Sequence, residues 1–353
     1  MSAANHSTLL VTGAAGFIGS SFVAQAVERG QKVIVLDKLT YAGFEENLLW
    51  IGTPSESGGS WRLIKGDMCD ASLVLKLMQE HEVDAVVDFA AESHVDNSIA
   101  KPGEFIHTNI IGCYSMLEAS RNYYDGLEGT KKDNFTLVHI STDEVYGSLG
   151  PTGRFSEKTS MKPNSPYSAS KAAGDHLCRA WFETYDLPVI VTNCSNNYGP
   201  RQHPEKLIPK IITNALSGAD LPIYGDGQNV RDWIHVEDHA NGVNLALSKG
   251  EAGETYCFGG HAEKTNIEVV HTICDILDEI KPRDDGQSYR EQITFVEDRA
   301  GHDRRYAIDD SKAEGLLGFE RDYNFESGIR QTVRWYLDNE AWCNLVTEKD
   351  VAA

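Results

Sequence analysis

Short apolar runs alternate with helical patterns along the first 200 residues of the chain. The runs are rich in β-branched residues and lie at 8–12, 32–37, 61–65, 84–91 and 135–140. Such runs are typical of buried parallel strands, and the stretches between them are typical of helices that cover both faces of a sheet. The pattern therefore predicts an α/β fold built on a doubly wound parallel sheet.

The pattern changes after residue 200, where shorter segments are separated by Pro and Gly. We therefore assign residues 1–200 to the sheet domain and residues 201–353 to a smaller C-terminal lobe that closes over a ligand. Residues 233–262 are expected to return to the first domain. The tail from Glu340 onward receives no role.

A glycine-rich loop follows the first predicted strand and leads into a helical pattern. It reads Gly13-Ala-Ala-Gly16-Phe-Ile-Gly19. Glycines permit the tight turn, and the N-terminus of the following helix offers N–H groups to a pyrophosphate. The second strand ends in Asp37, where an acid accepts ribose hydroxyls and repels a 2′-phosphate. These positions predict a Rossmann-type domain that binds NAD rather than NADP, although the neighbouring Lys38 weakens the preference for NAD.

The next two strands also deliver polar residues to the carboxyl edge of the sheet. Asp67 follows the third strand and is expected either to contact the adenine end of the cofactor or to cap the helix at 72–80. The fourth strand leads to Glu92-Ser93-His94, and the small Ala90 and Ala91 let a cofactor lie close. His94 receives no chemical role. The following helix, predicted over Phe105–Tyr124, carries Thr108 and Asn109 on the side that faces the sheet.

The fifth strand ends in Ser141-Thr142-Asp143-Glu144. Ligands of open α/β sheets bind beyond the carboxyl ends of the strands, so these side chains lie where chemistry is expected. Adjacent carboxylates at a dry strand end repel each other, which separates their pKa values and allows one to act as an acid and the other as a base. A solvated acidic turn is the ordinary alternative.

Tyr167 and Lys171 are four residues apart at the start of a predicted helix and therefore share one face of it. A lysine ammonium beside a tyrosine hydroxyl favours the phenolate, so we expect Lys171 to lower the Tyr167 pKa and make this residue a base. The spacing alone is common. It becomes specific behind a dinucleotide fold and a strand that ends in Ser and Thr.

Charge and cysteine content narrow the function classes. The formal net charge of −21 argues against nucleic-acid and anionic-membrane partners. Seven dispersed cysteines without a Cys-x-x-Cys pair indicate neither a disulfide framework nor a zinc site. His235 and His239 lack the His-Glu-x-x-His order, and Asp238 between them is expected to cap a helix, so no metal is expected. Because no apolar leader or membrane span is evident, we expect a cytoplasmic protein.

Several of these motifs resemble a known enzyme family. The glycine loop and the Tyr167/Lys171 pair are similar to those of the extended short-chain dehydrogenase/reductases, and Ser141–Gly147 resembles the nucleotide-sugar 4,6-dehydratases among them. The resemblance runs nearly end to end and includes motifs at 91–96, 192–199, 205–209, 222–225, 231–233 and 298–306. The chain departs from many members at Ala14, where they carry Gly, and in its short loop at 147–166.

The resemblance implies the ligands and the residues that bind them. It implies tightly bound NAD and a nucleotide-sugar substrate, with dTDP-glucose as the leading candidate and UDP-glucose as the open alternative. The implied cofactor-binding residues are Gly13, Gly16, Phe17, Ile18, Gly19, Asp37, Lys38, Thr40, Asp67, Met68, Phe89, Ala90, Ala91, Ser93, Thr108, Tyr167, Lys171 and Asn197. The implied substrate-binding residues are Ser93, Thr142, Asn196, Lys206, Leu207, Pro222, Ile223, Tyr224, Arg231, Asn266, His302, Arg304, Arg305 and Tyr306. Guanidinium groups suit a diphosphate, which independently singles out Arg231, Arg304 and Arg305, with surface ion pairing as the alternative for each.

The resemblance also implies a reaction in three steps, which yields a 4-keto-6-deoxy sugar for deoxysugar biosynthesis, rhamnose included. Tyr167, supported by Lys171 and Thr142, takes the C4 hydroxyl proton during oxidation. Glu144 then removes the C5 proton while protonated Asp143 donates to the departing C6 hydroxyl. Hydride return to C6 completes the cycle. A nucleotide-sugar 4-epimerase has no use for the acid pair, and a silent NAD-binding sensor need not retain Tyr167, Lys171 and both acids.

The helices predicted at 105–124 and 167–184 have apolar faces wider than one sheet contact requires. Members of the resembling family pack these two helices against their copies. We therefore expect a homodimer, with deeper burial in the monomer as the alternative.

Overall fold

The computed structural model describes residues 6–52 and 55–352, and its largest element is a parallel sheet of seven strands. In chain order, the strands of the molecule are β1 (Thr8–Thr12), β2 (Lys32–Asp37), β3 (Ser60–Lys65), β4 (Ala85–Asp88), β5 (Thr136–Thr142), β6 (Val189–Cys194), β7 (Asn196–Tyr198), β8 (Leu221–Tyr224), β9 (Val230–His235), β10 (Thr255–Phe258), β11 (Glu263–Thr265) and β12 (Ile293–Val296). The large sheet has the order β10-β6-β5-β4-β1-β2-β3. This is the doubly wound Rossmann-type sheet that the sequence predicts.

Thirteen α-helices accompany the strands over the described residues. They are α1 (Phe17–Glu28), α2 (Glu46–Leu49), α3 (Ala71–His81), α4 (Val95–Ala100), α5 (Pro102–Phe105), α6 (Cys113–Asp125), α7 (Gly129–Asn134), α8 (Pro166–Tyr185), α9 (Leu207–Ser217), α10 (Val236–Lys249), α11 (Asn266–Ile280), α12 (Phe325–Asp338) and α13 (Glu340–Ala352). Among the described residues, no helix combines the length and the apolar character needed to span a membrane.

Alternate residues of the central strands enter two different cores. Leu9 and Val11 of β1 join the core beneath α1 and α10, whereas Leu10 between them joins the core beneath α3, α6 and α8. Successive side chains of a strand point to opposite faces, so a strand that is covered on both sides must be apolar throughout. This requirement explains the continuous apolar runs of the sequence.

A smaller lobe is built from β7 and most of the segments that follow it. It contains the three-stranded sheet β11-β9-β7 and the two-stranded sheet β12-β8, and its core lies among α9, α11 and α12. The chain passes back to the large sheet through α10 and β10, and β10 pairs with β6 at the sheet edge.

Two local expectations differ from the structure, and a tail that had no predicted role proves to be helical. The helix predicted over Phe105–Tyr124 is interrupted, because a π-helical segment occupies Ile106–Gly112 between α5 and α6. Asp238 is not a helix cap: His235 caps α10, and the Asp238 carboxylate accepts the N–H groups of Asp322 and Tyr323 at 2.9 and 3.2 Å. The tail from Glu340 forms α13.

Candidate active site

The end of β5 places two acids at the edge of the sheet. The Thr142 hydroxyl accepts the Glu144 N–H at 3.3 Å and so starts the single 3₁₀ turn Asp143–Tyr146. Asn193 of β6 fixes the same point, because its Nδ2 donates to the Thr142 carbonyl at 3.1 Å. Asp143 is only 1% exposed, whereas Glu144 is half-buried and faces the cleft.

The two carboxyl groups have different electrostatic surroundings. Burial raises the Asp143 pKa well above its usual range, and the neighbouring Glu144 and Asp232 raise it further. Among the described residues, its Oδ2 has no hydrogen-bond partner. Burial also raises the Glu144 pKa, but the cations of Arg231 and Lys206 oppose that rise. The site therefore favours a protonated Asp143 beside a Glu144 that ionises more readily.

Tyr167 and Lys171 reach this point from α8. The helix begins with a capping box in which Ser165 accepts the Ser168 N–H, so Tyr167 lies in the first turn. Its hydroxyl forms a hydrogen bond with that of Thr142, yet burial and then the Glu144 charge raise the Tyr167 pKa well above its ordinary value. Lys171 is buried and donates through Nζ to the Ile140 carbonyl at 2.8 Å. The Tyr167 pKa is therefore raised overall in this structure and not lowered as predicted, because burial and the Glu144 charge outweigh the groups that favour the phenolate.

All the residues expected to bind the cofactor line one cleft of about 330 Å³ along the carboxyl edge of the sheet. Gly13 has a φ of +63°, and a Cβ there would lie 2.6 Å from the Ala90 backbone, so the turn and the close approach both require glycine. Gly16 opens α1, which has no side-chain cap. The first-turn N–H groups therefore remain available to an anion.

The acid at the end of β2 and its neighbours fit an adenosine ribose. Asp37 accepts the N–H groups of Ala15 and Leu39 at 2.9 and 2.8 Å, which hold its carboxylate at the cleft. Lys38 pairs with Asp67 at 2.8 Å, so its charge is already balanced and it offers little to a 2′-phosphate. Asp70 caps α3 instead of Asp67, which removes the alternative reading of Asp67. The residues present thus fit NAD.

A second cavity of about 550 Å³ lies between the sheet domain and the smaller lobe and meets the first cleft at Glu144. Most of the residues expected to bind the substrate line it: Ser93, Asn196, Lys206, Leu207, Pro222, Tyr224, Arg231, Asn266, His302 and Tyr306. Within it, the Arg231 guanidinium donates to the Val230 and Asp303 carbonyls at 2.8 and 2.9 Å and stacks on Tyr306 at 4.3 Å. Because the carbonyl groups that hold Arg231 are neutral, its guanidinium suits an anionic ligand.

Four expected substrate residues lie elsewhere. Thr142 lines the cofactor cleft, and Ile223 is buried in the core of the smaller lobe. Arg304 pairs with Asp226 at 3.0 Å and Arg305 with Glu263 at 2.7 Å, so neither guanidinium lines the cavity. For these two arginines the structure supports ion pairing, the alternative to diphosphate binding, because each guanidinium contacts a carboxylate of the same lobe.

Sequence reasoning missed several residues that line the two cavities. Asp96 and Arg299 line the second cavity and form an ion pair at 3.1 Å that joins α4 to the loop after β12. Asn47, Arg201 and Trp342 line the cofactor cleft. No periodicity marks these positions, since they come from loops and helix ends far apart in the chain.

Comparison with known proteins places these features in context. The family model described as GDP-mannose 4,6 dehydratase matches residues 10–332. A dTDP-glucose 4,6-dehydratase from Xanthomonas campestris pv. campestris (strain ATCC 33913) is 56% identical over 335 residues, which cover 95% of this chain and 94% of that protein. The dTDP-glucose 4,6-dehydratase 1 of Escherichia coli (strain K12) is 53% identical, covering 96% of this chain and 95% of that protein. A dTDP-glucose 4,6-dehydratase from Streptomyces venezuelae, solved with NAD bound, is 44% identical with a TM-score of 0.86 and covers 96% of this chain and 99% of its own.

Proposed function

The chain belongs to the GDP-mannose 4,6 dehydratase family, within the extended short-chain dehydrogenase/reductases, and we propose that it is an NAD-dependent dTDP-glucose 4,6-dehydratase. The enzyme is a hydro-lyase that converts dTDP-glucose to dTDP-4-keto-6-deoxy-glucose. The observation that carries this proposal is Glu144 at the junction of the two cavities, with the buried Asp143 beside it in the chain and Tyr167 lining the cofactor cleft. Elimination of water needs an acid and a base at neighbouring atoms, and the opposed surroundings of these two carboxyl groups supply both.

NAD, when bound, supplies an acceptor that takes the C4 hydride and later returns it to C6. The protein contributes the proton transfers. Tyr167, held by its hydrogen bond with Thr142, accepts the C4 hydroxyl proton as the carbonyl forms. The new C4 carbonyl acidifies the C5–H bond, whose proton goes to Glu144. Asp143 donates its proton to the C6 hydroxyl, which leaves as water, and Glu144 returns a proton to C5 when C6 is reduced.

Lys171 acts as a positioning residue in this scheme. Its Nζ is held by the Ile140 carbonyl, one strand position before Ser141, so the ammonium ties α8 to the end of β5. We therefore assign it two roles: it keeps Tyr167 at the strand end, and it adds positive charge beneath the cofactor cleft. A positive charge at that place favours the phenolate form that the first step requires.

The choice among rival activities rests on the same pair of acids. A nucleotide-sugar 4-epimerase oxidises and reduces the same carbon and needs no acid to expel water, so a buried protonated Asp143 has no task in it. A UDP-glucose 4,6-dehydratase uses identical chemistry, and one methyl group on the base changes binding by only about 1–3 kcal/mol. The relatives named above favour the thymidine nucleotide.

The decisive experiment supplies purified protein with dTDP-glucose and, separately, with UDP-glucose. We expect dTDP-glucose to give the alkali-sensitive 4-keto product without net consumption of NAD, at a kcat/KM at least several-fold above that for UDP-glucose. Formation of the galactose epimer, or no reaction with either sugar, would exclude the proposal. A higher kcat/KM for UDP-glucose would correct the nucleotide while leaving the chemistry intact.

We also propose a domain arrangement, an oligomeric state and a cellular compartment for the enzyme. Residues 1–200 with 233–262 form the NAD-binding domain, except for β7 and the end of β9, which pair in the small three-stranded sheet, and the remainder of 201–353 forms the nucleotide-sugar lobe. The protein is a homodimer that acts in the cytoplasm, with neither nucleic acid nor membrane as a partner, and its product feeds deoxysugar biosynthesis such as that of rhamnose. The seven free cysteines, six of them buried, suit a reducing compartment.

A further inference from the structure

The C-terminal helix α13 reaches the cofactor cleft through a short chain of hydrogen bonds. Trp342 lines the cleft, and its Nε1 donates to Asn47 Oδ1 at 3.0 Å. Asn47 is 1% exposed, and its Nδ2 donates to the Ala15 carbonyl of the glycine loop at 2.9 Å. The Ala15 N–H in turn donates to Asp37. Two side chains therefore connect the C-terminal helix to the loop that fits the diphosphate and to the acid that fits the adenosine ribose.

Arg201 approaches the same cleft from the loop after β7. Its Cζ lies 3.8 Å from the centre of the Trp50 ring and 5.5 Å from that of Trp335. Among the described side chains, its guanidinium contacts these two indole rings, and the Glu237 charge also acts on it. A guanidinium stacked on an indole face keeps its in-plane N–H donors for another ligand. Arg201 thus brings a stacked guanidinium to the cleft.

The backbone of Arg201 supports a functional origin for this placement. Its φ is +68°, a left-handed conformation that costs energy in a non-glycine residue. Strained backbone of this kind persists where the surroundings enforce it, and it is concentrated at ligand sites. Burial lowers the Arg201 pKa only to about 10, so the guanidinium keeps its charge at neutral pH.

The segment at 40–50 lies between these two groups of contacts. It lines the cleft through Thr40, Tyr41 and Asn47, and it is held by Trp342 through Asn47 and by Arg201 through Trp50. The rings of Trp335 and Trp342 are 5.1 Å apart, so α12 and α13 hold the segment as one unit. The segment thus forms part of the wall of the cleft that a bound dinucleotide would contact.

We propose that Asn47, Trp50, Arg201 and Trp342 form a clasp that retains NAD between turnovers, with Arg201 donating to the diphosphate of the cofactor. The inference rests on the proposed function in requiring that the chain binds NAD. It adds a role for the C-terminal helix and a second source of positive charge for the diphosphate, besides the N-terminus of α1. Retention matters in this reaction because the reduced cofactor must remain in place until it returns its hydride to the same sugar.

The first test is Trp342→Phe, which keeps an aromatic ring but removes the N–H donor and leaves the buried Asn47 oxygen unpaired. Because the segment that lines the cleft is then held less firmly, we expect NAD to dissociate roughly tenfold faster. The rate is measured by trapping released NAD, without any sugar nucleotide. Trp181→Phe is the matched control, since its Nε1 donates to Glu118 at 2.9 Å on α6, away from the cleft, and NAD should leave this variant at the wild-type rate.

The second test is Arg201→Met, which keeps the stacked aliphatic stem and removes the charge. We expect the Kd for NAD to rise about tenfold and to depend less on salt concentration, whereas the melting temperature of NAD-free protein should change little. If both variants held NAD as tightly as the Trp181→Phe control, the clasp would be excluded although the proposed function would stand. Wild-type protein that did not bind NAD at all would overturn the clasp and the proposed function together.

Discussion

At the scale of single residues, Glu144 is the group whose loss should separate the steps of the reaction. Glu144→Gln cannot take the C5 proton, but Tyr167 can still support oxidation at C4. We expect kcat to fall by about 10²–10⁴ and reduced nicotinamide to accumulate, which is visible as near-ultraviolet absorbance. Glu205→Gln is the control, because Glu205 lines both cavities yet does not follow the catalytic strand. Turnover of Glu144→Gln at the wild-type rate without this absorbance would show that another group is the base.

The raised Asp143 pKa has a consequence for stability as well as for catalysis. In the unfolded chain the Asp143 carboxyl loses its proton at about pH 4, whereas in the folded protein it keeps the proton to higher pH. The folded state therefore becomes less stable as the pH rises from the unfolded pKa towards the folded pKa. Asp143→Asn removes this penalty. We expect the variant to be more stable than wild type at pH 7, by about 1.4 kcal/mol for each tenfold difference in the ionisation constant, and the gain to vanish below about pH 4.

Urea unfolding between pH 3.5 and pH 7, a range chosen to bracket about pH 4, measures this gain. Asp84→Asn is a control of opposite sign. Burial raises the Asp84 pKa, but hydrogen bonds from Ser7 and Thr8 outweigh it and leave the pKa lowered. Wild-type Asp84 therefore stabilises the fold above the unfolded pKa and loses this contribution as the pH falls. A stability gain of Asp143→Asn that did not depend on pH would contradict the assigned ionisation.

The sequence predicted correctly the location of those site residues that directly follow a strand of the parallel sheet. Asp37, Glu144 and Thr142 follow directly from the rule that ligands bind beyond the carboxyl ends of parallel strands. Sequence reasoning failed where a charge is already balanced by a neighbour distant in the chain, as for Arg305 with Glu263. It also failed for the Tyr167 pKa, because the burial that controls it depends on the whole fold.

At the scale of secondary-structure elements, one side chain joins three parts of the site. Asn193 of β6 donates to the Thr142 carbonyl of β5 at 3.1 Å and to Asp175 of α8 at 3.0 Å, and it accepts the Tyr146 hydroxyl at 3.2 Å. Asn193→Ala leaves these buried groups unpaired. We expect a loss of about 3 kcal/mol in the free energy of unfolding and at least a tenfold lower kcat with a little-changed KM.

Tyr146→Phe provides the comparison, because it removes only one of the three bonds and should cost about 1 kcal/mol. Urea unfolding and steady-state kinetics on both variants test the idea. Equal effects of the two substitutions would mean that Asn193 does not position the end of β5.

Most helices and strands could be predicted from the sequence, whereas their first and last residues depend on local contacts such as caps. β1 and β2 match the predicted runs because their apolar stretches are bounded by polar residues. α8 starts at Pro166 because Ser165 and Ser168 form a capping box, a detail hidden among the polar residues of the preceding loop. The π-helical segment at 106–112 was not predicted, since its residue types do not distinguish a widened turn from a regular helix.

At the scale of the whole molecule, the exposed apolar residues of the helices beside β5 bear on the expected dimer. Ile106 and Ile111 are 46% and 44% exposed, and Tyr114 and Tyr185 are exposed beside them. Leu117, by contrast, is 1% exposed in the monomer core, so a charge there would unfold the subunit instead of testing its assembly. The wide apolar face is therefore divided between the core and the surface.

Ile106→Glu combined with Ile111→Glu is the appropriate test of the dimer. We expect light scattering to report a monomer, with lower activity and a lower melting temperature, since the interface would brace α8. Leu316→Glu is the control because Leu316 is 65% exposed outside these helices. A wild-type protein that is monomeric and fully active at micromolar concentration would contradict the dimer.

Alternate residues of β5, like those of β1, enter the two cores on opposite faces of the sheet, and this has an evolutionary consequence. Deleting or inserting one residue within β5 would exchange its two faces and would also turn Asp143 and Glu144 to the wrong sides. The length of this strand is thus inherited with the chemistry, and natural selection can vary only the surrounding loops, such as that at 147–166. New substrate preferences in such a lineage should arise by lengthening or shortening that rim while the catalytic strand keeps its length.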